Sequence, residues 1–188
     1  MTTKIEAHER TIGDIFSDFY QFEIPPYQRP YAWEEEQARE LLADLLDAMD
    51  NRNVSGGLYF LGSIVLVKPP SEAHARVIDG QQRLTTLTIL LSVLRDLTTD
   101  VERRIERRSY VYQKASPDKG LRERYRLVLR ERDRPFFLKY VQARTRRTIW
   151  LTPRSWKAVK NVSRKIQGSC GINLSRYQKS GETRSSLF

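Results

Sequence analysis

The chain has 188 residues, of which 39% are hydrophobic and 30% charged, and a formal net charge of +10 at neutral pH. Such a length fits one globular domain, or one domain with an extension; the lack of any run of about 18 apolar residues excludes a transmembrane helix. A single cysteine, Cys170, excludes an internal disulfide and a cysteine zinc cluster, and Met1-Thr2-Thr3-Lys4-Ile5-Glu6 lacks the apolar stretch of a secretion signal, so the cytoplasm is the expected compartment.

In chain order, Glu6 to Phe19 places Ile12, Ile15, Phe16 and Phe19 on one helical face, a packing pattern. Phe22 to Trp33 then carries Pro25, Pro26 and Pro30, which forbid a regular helix and favour an extended path. Tyr27, Tyr31 and Trp33 stand around Gln28 and Arg29 there. A rigid, aromatic segment of this kind can line a binding surface, or it can fill gaps in a core. Glu34-Glu35-Glu36 opens a helix with acids at the favourable end of its dipole, and Leu41, Leu42, Leu45, Leu46 and Met49 form its apolar stripe. Asn51 to Gly57 breaks that helix.

Leu58 to Val67 is nearly continuous in apolar residues, as a buried strand would be. Gly62-Ser63 interrupts it; glycine inside a strand pattern suggests a bulge or a close approach of ligand or backbone. A second short strand is expected over Ala75 to Ile78, after the Pro69-Pro70 loop.

Next comes the most chemically loaded segment, Asp79-Gly80-Gln81-Gln82-Arg83. It sits between that strand and a helix with Leu84, Leu87, Leu91 and Leu94 on one face. Glycine allows a backbone conformation closed to other residues, and a helix start offers unpaired N–H groups and a positive dipole end, which suits phosphate. The bland alternative is an Asp-Gly turn with Asp79 capping the helix. Thr85, Thr86 and Thr88 cap or face this opening turn.

Beyond Asp100 the texture changes. Residues 1–100 hold 9 Lys+Arg against 16 Asp+Glu, whereas residues 101–188 hold 24 against 7. The basic half can meet nucleic-acid phosphates or the acidic half of its own chain. Arg103, Arg104, Arg107 and Arg108 recur at helical spacing, Tyr125 to Leu129 reads as a short strand, and Asp133-Arg134-Pro135 as a helix start followed by Phe136, Phe137, Tyr140 and Val141.

Taken together, Ile24 to Trp33, Tyr59-Phe60-Leu61-Gly62-Ser63-Ile64 and Val77 to Thr85 resemble the N-terminal domain of GmrSD-type restriction enzymes, bacterial anti-phage proteins. That family in turn resembles the ParB/sulfiredoxin superfamily, in which a glycine-led, arginine-ended box cradles nucleotide phosphates. Arg126 to Phe137 extends the likeness, which covers residues 10–145. The resemblance implies an α+β fold: a small ParB/sulfiredoxin-like mixed sheet with packed helices over residues 1–100, then a basic, mostly helical extension over 101–188, truncated or atypical after about residue 145.

It also implies binding and hydrolysis of a nucleoside triphosphate (GTP, UTP or CTP) with magnesium. Asp79, Gln82 and Arg83 become the candidate catalytic residues. Tyr27, Gln28, Arg29, Gly62, Ser63, Gly80, Gln81 and Thr85 join them as the nucleotide site. Arg83 offers phosphate a planar fork of donors. Asp79 could hold magnesium, directly or through water, or orient the attacking water. Gln81 and Gln82 could position that water or bind phosphate or base. Implied partners are DNA, through the arginine-rich half, and a nuclease subunit or domain.

Three departures qualify the likeness. No His-Asn-His nuclease constellation is present; His8 and His74 are the only histidines and are read as incidental. The box has no cysteine for sulfiredoxin-like chemistry. From about Thr145 the sequence fits the pattern poorly, as a shifted reading frame would produce. Two other readings therefore stand beside the leading one: a non-enzymatic ParB-like DNA-binding or regulatory module, and an inactive truncated product.

Overall fold

The computed structural model describes residues 5–50 and 59–143. The helix break at Asn51 to Gly57, Cys170 and the atypical tail lie outside the described residues. The chain divides into two compact units. Described residues 5–33 and 62–143 belong to one, and 34–50 and 59–61 to the other.

The first unit is mixed α+β. Its main sheet has four strands in the order β2-β3-β1-β6: β1 (Gln21–Glu23), β2 (Val65–Val67), β3 (His74–Asp79) and β6 (Leu127–Val128). Strand β3 runs parallel to β1 and antiparallel to β2, and β1 runs parallel to β6. Strict alternation along β3 explains its place. Ala75 and Val77 are fully buried, while His74, Arg76 and Ile78 turn the other way. Phe22 and Leu127, paired in register on the neighbouring strands, are buried with them. The basic half of the chain thus supplies an edge strand of the same sheet as Phe22.

Helix α3 (Gln81–Leu97) follows β3 directly, and Leu84 and Leu87 are buried. It packs against α4 (Val101–Ser109), β6 and the π-helical turn Leu138–Gln142. A two-stranded ribbon, β4 (Tyr112–Gln113) with β5 (Arg124–Tyr125), completes the strands, and α5 (Arg134–Phe137) leads into the π turn.

Several expectations change. The helix over Glu6 to Phe19 shrinks to α1 (Ile12–Ile15). A Thr11–Asp14 capping box starts it, and Phe16 leaves helical geometry at its end. Phe16 is buried edge-on to Phe22, but Phe19 is 75% exposed. The apolar run before Val67 is not a buried strand over its described residues: among 59–67 only Val65–Val67 pairs, and it is the sheet edge, with Val65 and Val67 half-exposed and Phe60 exposed. An edge strand has one neighbour, so its outer groups stay open. The single strand expected over Tyr125 to Leu129 is two, β5 and β6, in different sheets; buried Arg126 separates them.

In the second unit, α2 (Glu35–Asp50) opens with Glu35 and Glu36 as its dipole favours. Leu41 is its buried residue, and the rest of the leucine stripe is partly exposed.

Candidate functional site

The site begins where β3 ends. Gly80 has φ +89°, a left-handed value that strains residues with a side chain. A Cβ there would also lie 3.0–3.3 Å from Ile64, the backbone Cα included. Glycine is required on both counts, and this lets the strand turn straight into α3. Gly80 is the N-cap and no side chain caps the helix. The alternative role of Asp79 as a cap is therefore ruled out. Its side chain is exposed at the end of β3, opposite Val65 in register. The first N–H groups of α3 lack intrahelical partners, as at every helix start.

Arg83 lies one turn into α3. Its guanidinium rests on the Gly62-Ser63 backbone and donates through Nη1 to the Ser63 carbonyl at 3.1 Å. Gly62, at φ +101°, makes this approach possible: a Cβ would lie 2.6–2.9 Å from guanidinium atoms. The Nε–H of Arg83 is buried with no partner, and so is Oε1 of Gln81. One strong donor and one acceptor thus stand unmatched within the first turn of α3, where unmatched buried groups are costly.

The two glutamines turn toward the proline segment. Gln81 donates through Nε2 to the Arg29 carbonyl at 2.8 Å. Gln82 donates to the Pro30 carbonyl at 3.1 Å and accepts at Oε1 from the Ala32 and Trp33 amides at 2.8 and 3.3 Å. Both are 7% exposed. Gln28 reaches the other way and donates through Nε2 to the Ile78 carbonyl at 2.8 Å, just before Asp79. The extended segment is therefore laced to both sides of the corner.

The structure brings Gln28, the Arg29 backbone, Gly62, Ser63 and Asp79 through Arg83 together around the start of α3. Tyr27 and the Arg29 side chain stand exposed beside it, Tyr27 at 71%. Thr85 is buried in the helix, and its hydroxyl donates to the Gln81 carbonyl at 2.9 Å. Three further residues belong to the arrangement. Tyr31 bonds Thr86 hydroxyl to hydroxyl at 3.0 Å. Ile64 packs on Gly80. Arg130 donates to the Gln28 carbonyl at 3.1 Å while bound to Asp133. The aromatic-proline pattern pointed toward Tyr31; Arg130 was signalled only as part of the Arg126 to Phe137 stretch that extends the likeness, with no role at the corner.

Among the described residues no group of three or more His, Cys, Asp or Glu side chains could hold a metal ion. Asp79 is the acid of the box. Magnesium bound there would draw its other ligands from phosphate oxygens and water, its usual habit with one or two carboxylates. His8 bonds Glu6 and His74 bonds Glu23.

Many arginines of the basic half serve the interior. Arg126, buried, donates to the Ser17 and Ser109 carbonyls and to Asp18. Arg124 donates to Gln113, Gln21 and the Asp18 carbonyl, and burial lowers its pKa, with the Arg126 charge adding to the effect. Arg107 donates to the Leu94 carbonyl and Thr98, and Arg134 to the Leu129 carbonyl.

A small mixed sheet, a strand-to-helix corner led by a left-handed glycine, and a proline-stiffened segment laced across it define an α+β domain built around one corner. The chain belongs to the family of the GmrSD restriction endonuclease N-terminal domain, whose model matches residues 12–181. The match runs well past residue 145, where the likeness read from the motifs ended, so much of the tail falls within the family's span. Comparison with the curated proteins finds no match. Among the described residues, no helix is long and apolar enough to cross a membrane.

Proposed function

We propose that this domain binds a nucleoside triphosphate at the corner formed by Asp79 to Arg83 and supports its hydrolysis, as part of a restriction-like defence protein whose nuclease lies elsewhere. One observation carries the reading. The buried Nε–H of Arg83 and Oε1 of Gln81 are unmatched beside the uncapped start of α3. Donors at that place suit phosphate oxygens, and an acceptor suits a ribose hydroxyl or a base N–H.

In this reading Arg83 holds phosphate from the floor made by Gly62 and Ser63. Asp79 orients water or shares a magnesium ion with the phosphates. Gln82, whose oxygen already accepts two backbone N–H groups, acts by fixing the proline segment. Tyr27 and Arg29 line the open side. Magnesium would supply charge neutralisation at the phosphates.

The alternative, a DNA module using the basic half, is less well supported, because Arg107, Arg124, Arg126 and Arg134 are engaged with protein groups. Phosphate release from the four ribonucleoside triphosphates with magnesium tests hydrolysis. Release that disappears in Asp79→Asn while binding persists supports it. Binding with no release from the unaltered chain reduces the function to nucleotide sensing.

A further inference from the structure

We infer that the cleft along the β2–β3 hairpin is a second anion site, one that takes a phosphodiester of a nucleic-acid backbone. The cleft is lined by Val67, Lys68, Pro69, His74 and Arg76 and has a volume of about 560 Å³. Two full positive charges and an imidazole face one space. Lys68 is pre-placed: its ammonium lies 5.7 Å from the Tyr20 ring centroid and 3.4 Å from the Pro69 carbonyl. Two acids border this wall: Glu72 is exposed in the hairpin turn, its amide donating to the Pro69 carbonyl at 3.2 Å, and Glu23, opposite Arg76 in register, accepts from His74 Nε2 at 2.5 Å. Glu23 therefore aligns the imidazole, and the Arg76 side chain stays exposed to solvent.

This site is separate from the corner. His74 starts β3 and Asp79 ends it, so the strand alone sets them about 17 Å apart at roughly 3.3 Å per residue. Arg76, the lining residue nearest the corner along the strand, is still three residues, or about 10 Å, from Asp79. Val67 and Pro69 make part of the wall apolar, which suits a ligand that also presents sugar carbons. A nucleic-acid backbone does so; inorganic phosphate does not. The inference does not depend on nucleotide binding at Asp79 to Arg83.

Fluorescence anisotropy with a labelled DNA duplex tests it, on the full chain and on Lys68→Gln/Arg76→Gln. The expected result is a loss of at least tenfold in affinity at low salt and a salt slope shallower by about two, one for each phosphate-contacting cation removed. Lys119→Gln, which removes an exposed charge outside the cleft, should leave the duplex affinity unchanged. Acetylation footprinting of the unaltered chain needs no variant: duplex should protect Lys68 more than the exposed Lys114 and Lys119. Inorganic phosphate, titrated by calorimetry, separates the sources. Saturable phosphate binding lost in the double variant, without duplex binding, keeps an anion site but overturns its nucleic-acid assignment. Unchanged duplex affinity in the folded double variant, with Lys68 unprotected, overturns the inference.

Discussion

The guanidinium of Arg83 lies so close over Gly62 that a methyl group on that glycine would come within 2.6–2.9 Å of its atoms. The two residues are 21 positions apart in sequence, yet each fixes the other. Gly62→Ala should therefore do two things. The left-handed φ costs on the order of 1 kcal/mol or more, and Arg83 must swing away from Ser63. Gly120→Ala is the control: its φ is also positive, at +64°, but open space surrounds it. Both variants should lose stability in urea unfolding, and only Gly62→Ala should also lose nucleotide affinity.

Gln82→Ala should loosen the proline segment. It removes three hydrogen bonds to backbone groups of residues 30–33. At roughly 0.5–1.5 kcal/mol each, the loss is about 1.5–4.5 kcal/mol. Hydrogen exchange at the Ala32 and Trp33 amides should accelerate. Gln82→Glu keeps the acceptor for those amides but loses the bond to Pro30, so exchange there should change less than in the alanine variant.

Arg95 is 1% exposed and holds Asp96 together with the carbonyls of Val141 and Gln142. Arg95→Ala leaves those groups unmatched and should cost about 3–5 kcal/mol. Guanidinium unfolding of the variant should show a midpoint lowered by about 1 M. A shift of a few tenths of a molar would show the arginine to be peripheral.

Asp14 carries a pH dependence. The Thr11 hydroxyl, and next the Thr11 backbone N–H, hold its carboxyl below the usual value. A carboxyl depressed in the folded state stabilises the fold above its unfolded pKa, and that contribution fades as pH falls through the folded one. Carbon-detected titration of Asp14 should therefore give a value below the ordinary carboxylate range. Thr11→Ala removes the hydroxyl but keeps the backbone N–H bond, so it should raise the value only part of the way back.

Much of the corner was legible in the sequence. A Gly after alternating residues and before a leucine-rich helix forces a strand-to-helix turn, and Gly62 announced a close backbone approach. What could not be read was direction. Nothing local shows that Gln82 turns inward to the 30–33 backbone, because that depends on where the proline segment passes. Thr85 looked available at the opening turn, but its spacing from Leu84 and Thr88 puts it inside. The arginines of the second half counted as surface charge because burial of a guanidinium depends on carbonyls distant in sequence, such as Ser17 for Arg126. Phe19 fitted a helical face that ends at Phe16, since Thr11 and Asp14 set the helix start and only one turn follows.

The most direct test of the central claim is calorimetric titration of the chain and of Arg83→Ala with each of the four ribonucleoside triphosphates and magnesium. The account predicts saturable binding of at least one nucleotide, weakened at least tenfold in the variant, since a charge-assisted hydrogen bond contributes about 1.5–3 kcal/mol. No binding of any nucleotide by the folded chain, or equal affinity in both proteins, would contradict it.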